Sequence, residues 1–249
     1  MFNETKHRPW ALPEQRWLMA MRWHNLLFMH WPLPVAALRA HIPRSLTIDT
    51  FDGMAWIGVV PFSMSGVRPR YIPPLPWLSA FPELNVRTYV VANDRPGVWF
   101  FSLDATNMLA VRGARWLFHL PYYDAHMTIR EQQGIIDYQS TRTHRGAPEA
   151  TFAGQYWPCG AVYYAAAGTL DHWLTERYCL YAVDRRGQLW RGDIHHDPWP
   201  LQPAQASITV NSMTYPLGLK LPATQPLLHF AHYQAVVAWR IARVDVPGV

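Results

Sequence analysis

Proline is the residue that most restricts what this chain can fold into, because 22 of its 249 residues are proline. A proline inside a helix removes a hydrogen bond and clashes with the preceding turn, so this proline content argues against an architecture of long helices. Five prolines fall within residues 68–82 and predict an irregular loop there.

Half of the residues are hydrophobic, which excludes a disordered chain. The length fits one large domain or two small ones. Because no repeat or linker is visible, we expect a single domain over residues 1–249.

The charge pattern argues against a nucleic-acid-binding protein, although the net charge is +5 and the pI is about 9.4. The 22 basic residues comprise 20 Arg and only two Lys, Lys6 and Lys220, and they are spread along the chain rather than clustered on one segment. Arginine keeps its charge when partly buried, and its planar fork suits carboxylates. This composition indicates arginines that belong to buried polar networks.

No segment has the character of a membrane span or a secretory signal. The stretches 23–38, 150–170 and 198–219 lack Asp, Glu, Lys and Arg, but all three are interrupted by proline and other polar residues. The first thirteen residues carry three charges and no apolar run. Two cysteines, Cys159 and Cys179, do not make a disulfide framework. We therefore expect a cytoplasmic protein with no membrane partner.

Apolar runs separated by short turn signals predict antiparallel hairpins. Asp52-Gly53 is a strong two-residue turn signal and predicts pairing of 46–51 with 54–62. Further hairpins are predicted for 83–91 with 98–103, 123–131 with 135–143, and 179–183 with 189–194, and a long strand for 228–246. Short helices are predicted at 33–41, 107–118 and 169–178. The fold class is therefore α+β, mostly antiparallel β, with a curled sheet that forms a barrel or cone around a pocket.

The predicted strand at 83–90 alternates polar and apolar residues with period two. Side chains alternate across a strand, so Glu83, Asn85, Arg87 and Tyr89 share one face. This pattern is typical of a half-exposed strand with its polar face in water. It is also what a strand lining a polar cavity would show, and the tyrosine and asparagine favour the cavity. In that case Arg87 is a candidate for binding an anionic group and Glu83 for transferring a proton.

The segment 115–124, RWLFHLPYYD, joins the end of a predicted helix to the start of a strand. Arg115 and His119 lie four residues apart on one helical face, and Tyr122 and Tyr123 begin the strand. Aromatic packing at a helix end explains this pattern. A His–Tyr–Arg cluster for acid–base chemistry is the alternative, since histidine titrates near neutrality, whereas a tyrosine would need its pKa lowered by a nearby positive charge.

Neither a metal nor a cofactor is expected from the motifs. The close pairs His195-His196 and His229-x-x-His232 would point to opposite faces of a strand and would chelate poorly. The chain contains no Cys-x-x-Cys, no glycine-rich phosphate loop and no Gly-x-Ser-x-Gly nucleophile motif.

Five segments between residues 17 and 194 carry a resemblance to a known family. They are LPVAALRAHIPRSLTIDTFDGMAWIGVVPF, FPELNVRTYV, RPGVWFFSLDA, GARWLFHLPYY and LTERYCLY. Together they resemble the YqjF-like family of uncharacterised proteins, which is similar in fold to acetoacetate decarboxylase. The resemblance implies a curled antiparallel sheet that encloses a pocket, and it implies no particular reaction.

The decarboxylase motifs can be carried over only in part. Its strand glutamate is matched by Glu83, and Arg115 and Pro121 match the arginine and proline of its helix motif. Its two lysines are replaced by Tyr122 and Tyr123, and its N-terminal pocket arginine falls near Arg22 or His24. Schiff-base decarboxylation needs an activated lysine amine. Since no lysine lies between Lys6 and Lys220, we predict that this chain does not use that mechanism.

Two functions remain open from the sequence. The first is an enzyme that acts on a small carbonyl or carboxylate compound without a Schiff-base lysine. The second is a non-catalytic binding or sensing module with the same pocket. The candidate catalytic residues are Glu83, Tyr122 and His119, and the candidate binding residues are Arg87, Asn85, Tyr89, Arg115, Tyr123 and His24. The expected partner is an anionic or carbonyl-containing small molecule, and assembly of identical copies is left open.

Overall fold

The computed structural model describes residues 4–75 and 77–245, and the side chains of those residues except 108–111 and 114. Within this part of the chain, strands form one continuous sheet that short helices interrupt. The strands are β1 Met19–Leu33, β2 Thr47–Ile48, β3 Ala55–Pro69, β4 Phe81–Ala92, β5 Arg95–Ala105, β6 Tyr122–Gln132, β7 Ile135–Arg142, β8 Thr151–Pro158, β9 Cys179–Val183, β10 Leu189–His195, β11 Gln202–Asn211, β12 Leu227–Ala238 and β13 Ala242–Arg243. The α-helices are α1 Val35–Arg39, α2 Met108–Phe118 and α3 Leu170–Thr175, and a short 3-10 helix covers Tyr215–Leu217.

The sheet closes on itself in two ways. Nine of the described strands form a closed mixed barrel in the order β4-β5-β6-β7-β8-β11-β12-β1-β3. In addition, β9 pairs with β5, β10 pairs with β9, and β10 reaches β12 through Ile194 and His195. This second connection encloses a space on the other side of β12, β1, β3, β4 and β5, so these five strands form a wall between two interiors. The predicted curled sheet is confirmed.

The two interiors are filled differently, because side chains alternate across the shared wall. On β4, Leu84, Val86 and Val90 point into the nine-stranded barrel, where they pack with Tyr138 and Phe152 in the largest apolar cluster. That interior is occupied by side chains. The opposite face of β4 lines a cavity in the second interior.

The seam between β5 and β9 is narrow and depends on Gly97. A Cβ atom at this position would lie 2.7 Å from Sγ of Cys179 and 2.9 Å from its carbonyl oxygen. Real Cβ atoms do not approach other atoms so closely, so a side chain at Gly97 would push the two strands apart. The glycine therefore allows β9 to close the second interior.

Three predicted hairpins are confirmed: β4 with β5, β6 with β7, and β9 with β10. The segment near residue 25 belongs to the long strand β1, with Asn25 at φ 51° in an irregularity of its pairing with β3. No helix within the described residues is long and apolar enough to cross a bilayer.

The hairpin predicted across Asp52-Gly53 is wrong beyond its turn. The turn forms, with paired backbone hydrogen bonds between Phe51 and Met54. The preceding strand β2 does not pair with β3, however, but with β4, opposite Val90 and Val91. Its Ile48 is buried in the same core as Val90, so burial against β4 overrides the local turn signal.

Two other predicted elements are longer than the observed ones. The strand predicted at 228–246 ends at Ala238, because Trp239 bonds the carbonyl of Asp193 and the chain then pairs with β10 as β13; Val246 lies outside the described residues. The helix predicted at 169–178 ends at Thr175, and Thr169 is its N-cap. Glu176 adopts φ −84° and ψ 72°, which turns Arg177 away from the helical path.

Candidate functional site

A cavity of about 510 Å³ lies in the second interior. Its walls come from the shared strands, from β9 and the ends of β10, and from α2. Its polar lining side chains are Glu83, Asn85, Arg87, Tyr122, Thr175, Arg177 and His196. Another cleft of about 530 Å³ is lined by residues 11–16 together with arginines of β5 and β10, and it contains none of the sequence-predicted residues.

The polar face that the sequence predicts for β4 forms the floor of the cavity. Glu83, Asn85 and Arg87 line the cavity, as the period-two pattern requires. Tyr89 continues this face but lies below the cavity wall and is fully buried. Its hydroxyl lies 2.7 Å from Nε2 of His30 and donates to the carbonyl of Leu174 at 2.7 Å, so Tyr89 supports the floor rather than facing the cavity.

Glu83 is the most perturbed acid of the cavity. It is 3% exposed, and burial raises its pKa to about 7, with a further contribution from the negative charge of Asp104. Hydrogen bonds from Tyr122 and Asn85 favour the ionised form and partly oppose this shift. A carboxyl group with a pKa near neutrality can both release and accept a proton at physiological pH.

Tyr122 holds the carboxyl group of Glu83 in place. Its hydroxyl donates a 2.8 Å hydrogen bond to Oε2 of Glu83. Burial and the negative charge of Glu83 raise the pKa of Tyr122 well above its ordinary value. Tyr122 therefore keeps its proton, and this shift is opposite to the one that acid–base chemistry by a tyrosine would need.

Two guanidinium groups lie near the ring of Tyr89, and both arginines line the cavity. The Cζ atom of Arg177 lies 4.7 Å from the ring centroid, and that of Arg87 lies 5.9 Å from it. Arg177 also binds Asp49 at 2.6 Å and the carbonyl of Trp173 at 2.6 Å. Within the described residues, Nε of Arg87 and Nη2 of Arg177 are buried without a hydrogen-bond partner. Both arginines line the cavity, and guanidinium groups are suited to bind the oxygen atoms of a carboxylate.

The cavity lining includes an apolar wall in addition to this polar floor. Trp23 and Trp199 stack with their ring centroids 5.9 Å apart, and both indole N–H groups are buried without a partner among the described residues. Burial lowers the pKa of His196, and its ring nitrogens lie near the carbonyls of Asp197 and Arg177. His196 is buried and forms part of the scaffold.

Tyr123 and Arg115 lie outside the cavity, and Tyr123 is on the face of β6 opposite to Tyr122. Tyr123 packs against the guanidinium of Arg142 at 4.2 Å and against the ring of His144. Arg115 bonds Nε2 of His144 at 3.0 Å, and His144 bonds Asp124 at 2.8 Å. Because side chains alternate along a strand, Tyr122 and Tyr123 point to opposite faces of the sheet and cannot both line the same pocket.

The two sequence-predicted histidines are also absent from the cavity lining. His119 has a left-handed backbone with φ 54° and packs against the ring of Trp190. His24 bonds the hydroxyl of Ser65 at 2.7 Å, on the face of β1 opposite to Trp23. The predicted residues therefore form two groups, of which Glu83, Asn85, Arg87 and Tyr122 meet at the cavity.

Sequence reasoning missed Arg177, Trp199 and His196. Arg177 was placed late in a longer helix, and the helix ends two residues before it. The signal that could have indicated it is the Thr-Glu-Arg-Tyr sequence directly before the predicted strand at residue 179. Trp199 and His196 follow β10 in an irregular segment, where no periodicity predicts orientation.

No lysine lines the cavity among the described residues, and both Lys6 and Lys220 are exposed. Cys179 does line it, but burial raises the pKa of this thiol to about 12, so it is a poor nucleophile. Within residues 4–75 and 77–245 there is no group of three or more His, Cys, Asp or Glu side chains placed to hold a metal ion.

Solved structures similar to this chain define its class. Acetoacetate decarboxylase from Legionella pneumophila matches with a TM-score of 0.63 at 11% identity, over 96% of this chain and 94% of that one. The enduracididine biosynthesis enzyme MppR matches with a TM-score of 0.66 at 10% identity, over 92% of this chain and 88% of that one. The fold is therefore that of the acetoacetate decarboxylase-like proteins.

Sequence comparison places the chain more narrowly. The model of a family described as an uncharacterized conserved protein, DUF2071, matches residues 20–235. The uncharacterized protein YqjF of Bacillus subtilis is 46% identical over 233 residues, which are 94% of this chain and 95% of that protein. The chain belongs to the DUF2071 family, and the predicted resemblance is confirmed.

Proposed function

We propose that this protein is an enzyme that binds a small carbonyl- or carboxylate-bearing compound in the cavity and moves a proton to or from it without a Schiff-base lysine. The observation that carries this proposal is Glu83, a buried carboxyl group on the cavity floor with a pKa raised to about 7. Perturbed carboxyl groups in a cleft are typical of general acids and bases.

The polar floor supplies the other groups that such a step needs. Arg87 and Arg177, which line the cavity, would bind the carboxylate or carbonyl oxygen through their guanidinium groups. Glu83 would take a proton from the carbon next to the carbonyl group, and the electron pair would move onto the carbonyl oxygen beside the arginines. Glu83 exchanges this proton with solvent and then returns a proton to carbon, so that no further reactant is needed. Tyr122 would keep Glu83 oriented.

A relative in fold supports a ligand of this class. MppR has been solved in complex with pyruvate, a small 2-oxo acid, and that structure matches this chain with a TM-score of 0.62 at 9% identity. The likeness concerns the fold, and the ligand is that of MppR. For this chain, the choice of a 2-oxo acid as the first probe rests on the arginines and Glu83.

Binding without turnover is the second candidate. It is favoured by the hydrogen bond from Tyr122, which already occupies Oε2 of Glu83. In a binding module, Glu83 and the arginines would provide hydrogen-bond complementarity alone. The two candidates differ in whether a proton on the ligand exchanges.

Proton exchange in D₂O distinguishes them. Pyruvate is incubated with the protein, and deuterium at its methyl group is followed by NMR. We expect exchange faster than in buffer for the wild type and for Glu149→Gln, an exposed carboxyl outside the cavity. Glu83→Gln should exchange at the buffer rate. Equal rates for wild type and Glu83→Gln would contradict the enzyme proposal, and a thermal shift with pyruvate but no exchange would support the binding module.

A further inference from the structure

The cavity is much more apolar than a site for a three-carbon acid needs to be. Two apolar clusters meet along its wall and share Tyr122. The first contributes side chains such as Phe62, Met64 and Trp199, and the second contributes Leu103 and Leu120. Further lining comes from methionines of β1 and aromatic residues of β5 and α2.

The polar groups lie together on one side of this wall. Glu83 and Arg87 follow the same face of β4, and the guanidinium groups of Arg87 and Arg177 both lie near the ring of Tyr89. Nε2 of His196 lies 3.2 Å from the carbonyl of Arg177. The cavity therefore has one polar strip and one extended apolar surface.

We infer that the ligand is amphipathic: a carbonyl or carboxylate head on the strip from Glu83 to Arg177, joined to an alkyl or aryl body of about six carbons or more against the apolar wall. The inference rests on the proposed function and names its substrate class. The volume of about 510 Å³ supports it, because cavities of roughly 300–1,000 Å³ enclose ligands far larger than pyruvate. A head group alone would leave the wall formed by Trp23, Phe62 and Met64 without contacts.

Because the wall is apolar, we expect the affinity for 2-oxo acids to depend on the length of their carbon chain. Burying one methylene group contributes enough free energy to tighten binding by about threefold to fourfold. Affinity should therefore rise stepwise from pyruvate to 2-oxobutanoate, 2-oxohexanoate and 2-oxooctanoate, until the cavity is filled. Phenylpyruvate should bind with an affinity similar to that of the longer 2-oxo acids, because its ring would pack against Trp23 and Trp199.

Calorimetric titration of the full chain with this series tests the inference. We expect 2-oxooctanoate to bind at least about fiftyfold more tightly than pyruvate. Met21→Asn places an amide in the apolar wall and should bring this ratio towards one. Met54→Asn, a matched change at an exposed methionine outside the cavity, should leave the ratio as in the wild type.

The titration results distinguish a failure of the amphipathic-ligand inference from a failure of the proposed function. Equal affinity for pyruvate and 2-oxooctanoate would overturn the amphipathic ligand while the proposed function stands. Equal affinity for octanoate and 2-oxooctanoate would support the apolar body and count against recognition of the carbonyl group. If no 2-oxo acid binds, both proposals fail.

Discussion

The hydroxyl of Tyr122 donates a 2.8 Å hydrogen bond to Oε2 of Glu83, although 39 residues separate them in the sequence. The bond exists because β5 pairs with β4 on one side and runs parallel to the start of β6 on the other. In the register, Glu83 lies opposite Ala105, and Tyr122 lies opposite Leu103. The parallel pairing of β5 and β6 thus brings a proton donor to the buried acid.

Glu83 should make the stability of the protein fall as the pH rises towards neutrality. Its pKa in the folded chain is about 7 against an ordinary value of 4.5, so the folded state binds the proton more tightly than the unfolded state. The resulting stabilisation is fully present below about pH 4.5 and is lost as the pH rises through about 7.

The matching measurement is the free energy of unfolding of the wild type and of Glu83→Gln from pH 4.5 to 8. The wild type should lose about 3 kcal/mol relative to the variant across this interval. Glu149→Gln should follow the wild-type profile because its side chain is exposed. Parallel curves for wild type and Glu83→Gln would show that the acid is not perturbed.

Removing the hydroxyl of Tyr122 should raise the pKa of Glu83 further. The hydrogen bond from Tyr122 favours the ionised carboxylate, so Tyr122→Phe loses a contribution that lowers this pKa. A bond to a charged group corresponds to about one pH unit or more. Carboxyl ¹³C NMR titration measures the change directly. Tyr123→Phe is the matched control, since Tyr123 packs against Arg142 and should leave the titration of Glu83 unchanged.

Arg87 should be required for binding an anionic ligand. Arg87→Gln removes a half-buried charge whose Nε has no partner among the described residues, and we expect the affinity for 2-oxo acids to fall about tenfold or more. Arg44→Gln, an exposed arginine outside the cavity, should bind as the wild type does. Titration calorimetry compares the two variants, and unchanged affinity in Arg87→Gln would remove this residue from the site.

The ion pair of Asp104 and Arg142 should stabilise the junction between the cavity and the nine-stranded barrel. Both carboxylate oxygens accept from the guanidinium, at 2.7 and 2.8 Å, and the side chains are 0% and 2% exposed. Asp104→Ala leaves a buried positive charge and should cost about 3–5 kcal/mol in denaturant unfolding. Asp245→Ala breaks an exposed pair with Arg243 and should leave stability nearly unchanged. Similar effects of the two changes would contradict the buried pair.

Borohydride should trap no adduct of a 2-oxo acid. Reduction fixes a Schiff base on lysine as a stable amine, and no lysine lines the cavity within the described residues. The intact mass measured after treatment with pyruvate and borohydride should therefore equal that of the untreated protein. An adduct mapped to Lys6 or Lys220 would contradict the proposal of chemistry without a Schiff base.

Local patterns predicted a large part of the candidate site. The alternation from Glu83 to Arg87 is a property of neighbouring residues, and the strand obeys it because its other face packs against a filled core. The same rule would have separated Tyr122 from Tyr123, which the sequence interpretation grouped together. Where bulges shift the pairing, as between Val86 and Arg87 relative to β5, alternation no longer predicts which face a residue of the partner strand occupies.

By itself, the sequence determined three of the four predicted hairpins, the polar face of β4 and the absence of lysine between residues 6 and 220. Turn chemistry and period-two alternation depend only on neighbouring residues, and composition is a sum over all residues, so none of them requires knowledge of distant contacts. The tertiary structure decided that β2 joins β4, that Arg177 lies beyond the end of α3 and near the ring of Tyr89, and that Tyr122 bonds Glu83. Those relationships depend on which distant strands become neighbours and bury one another, and the packing of the whole sheet sets that choice.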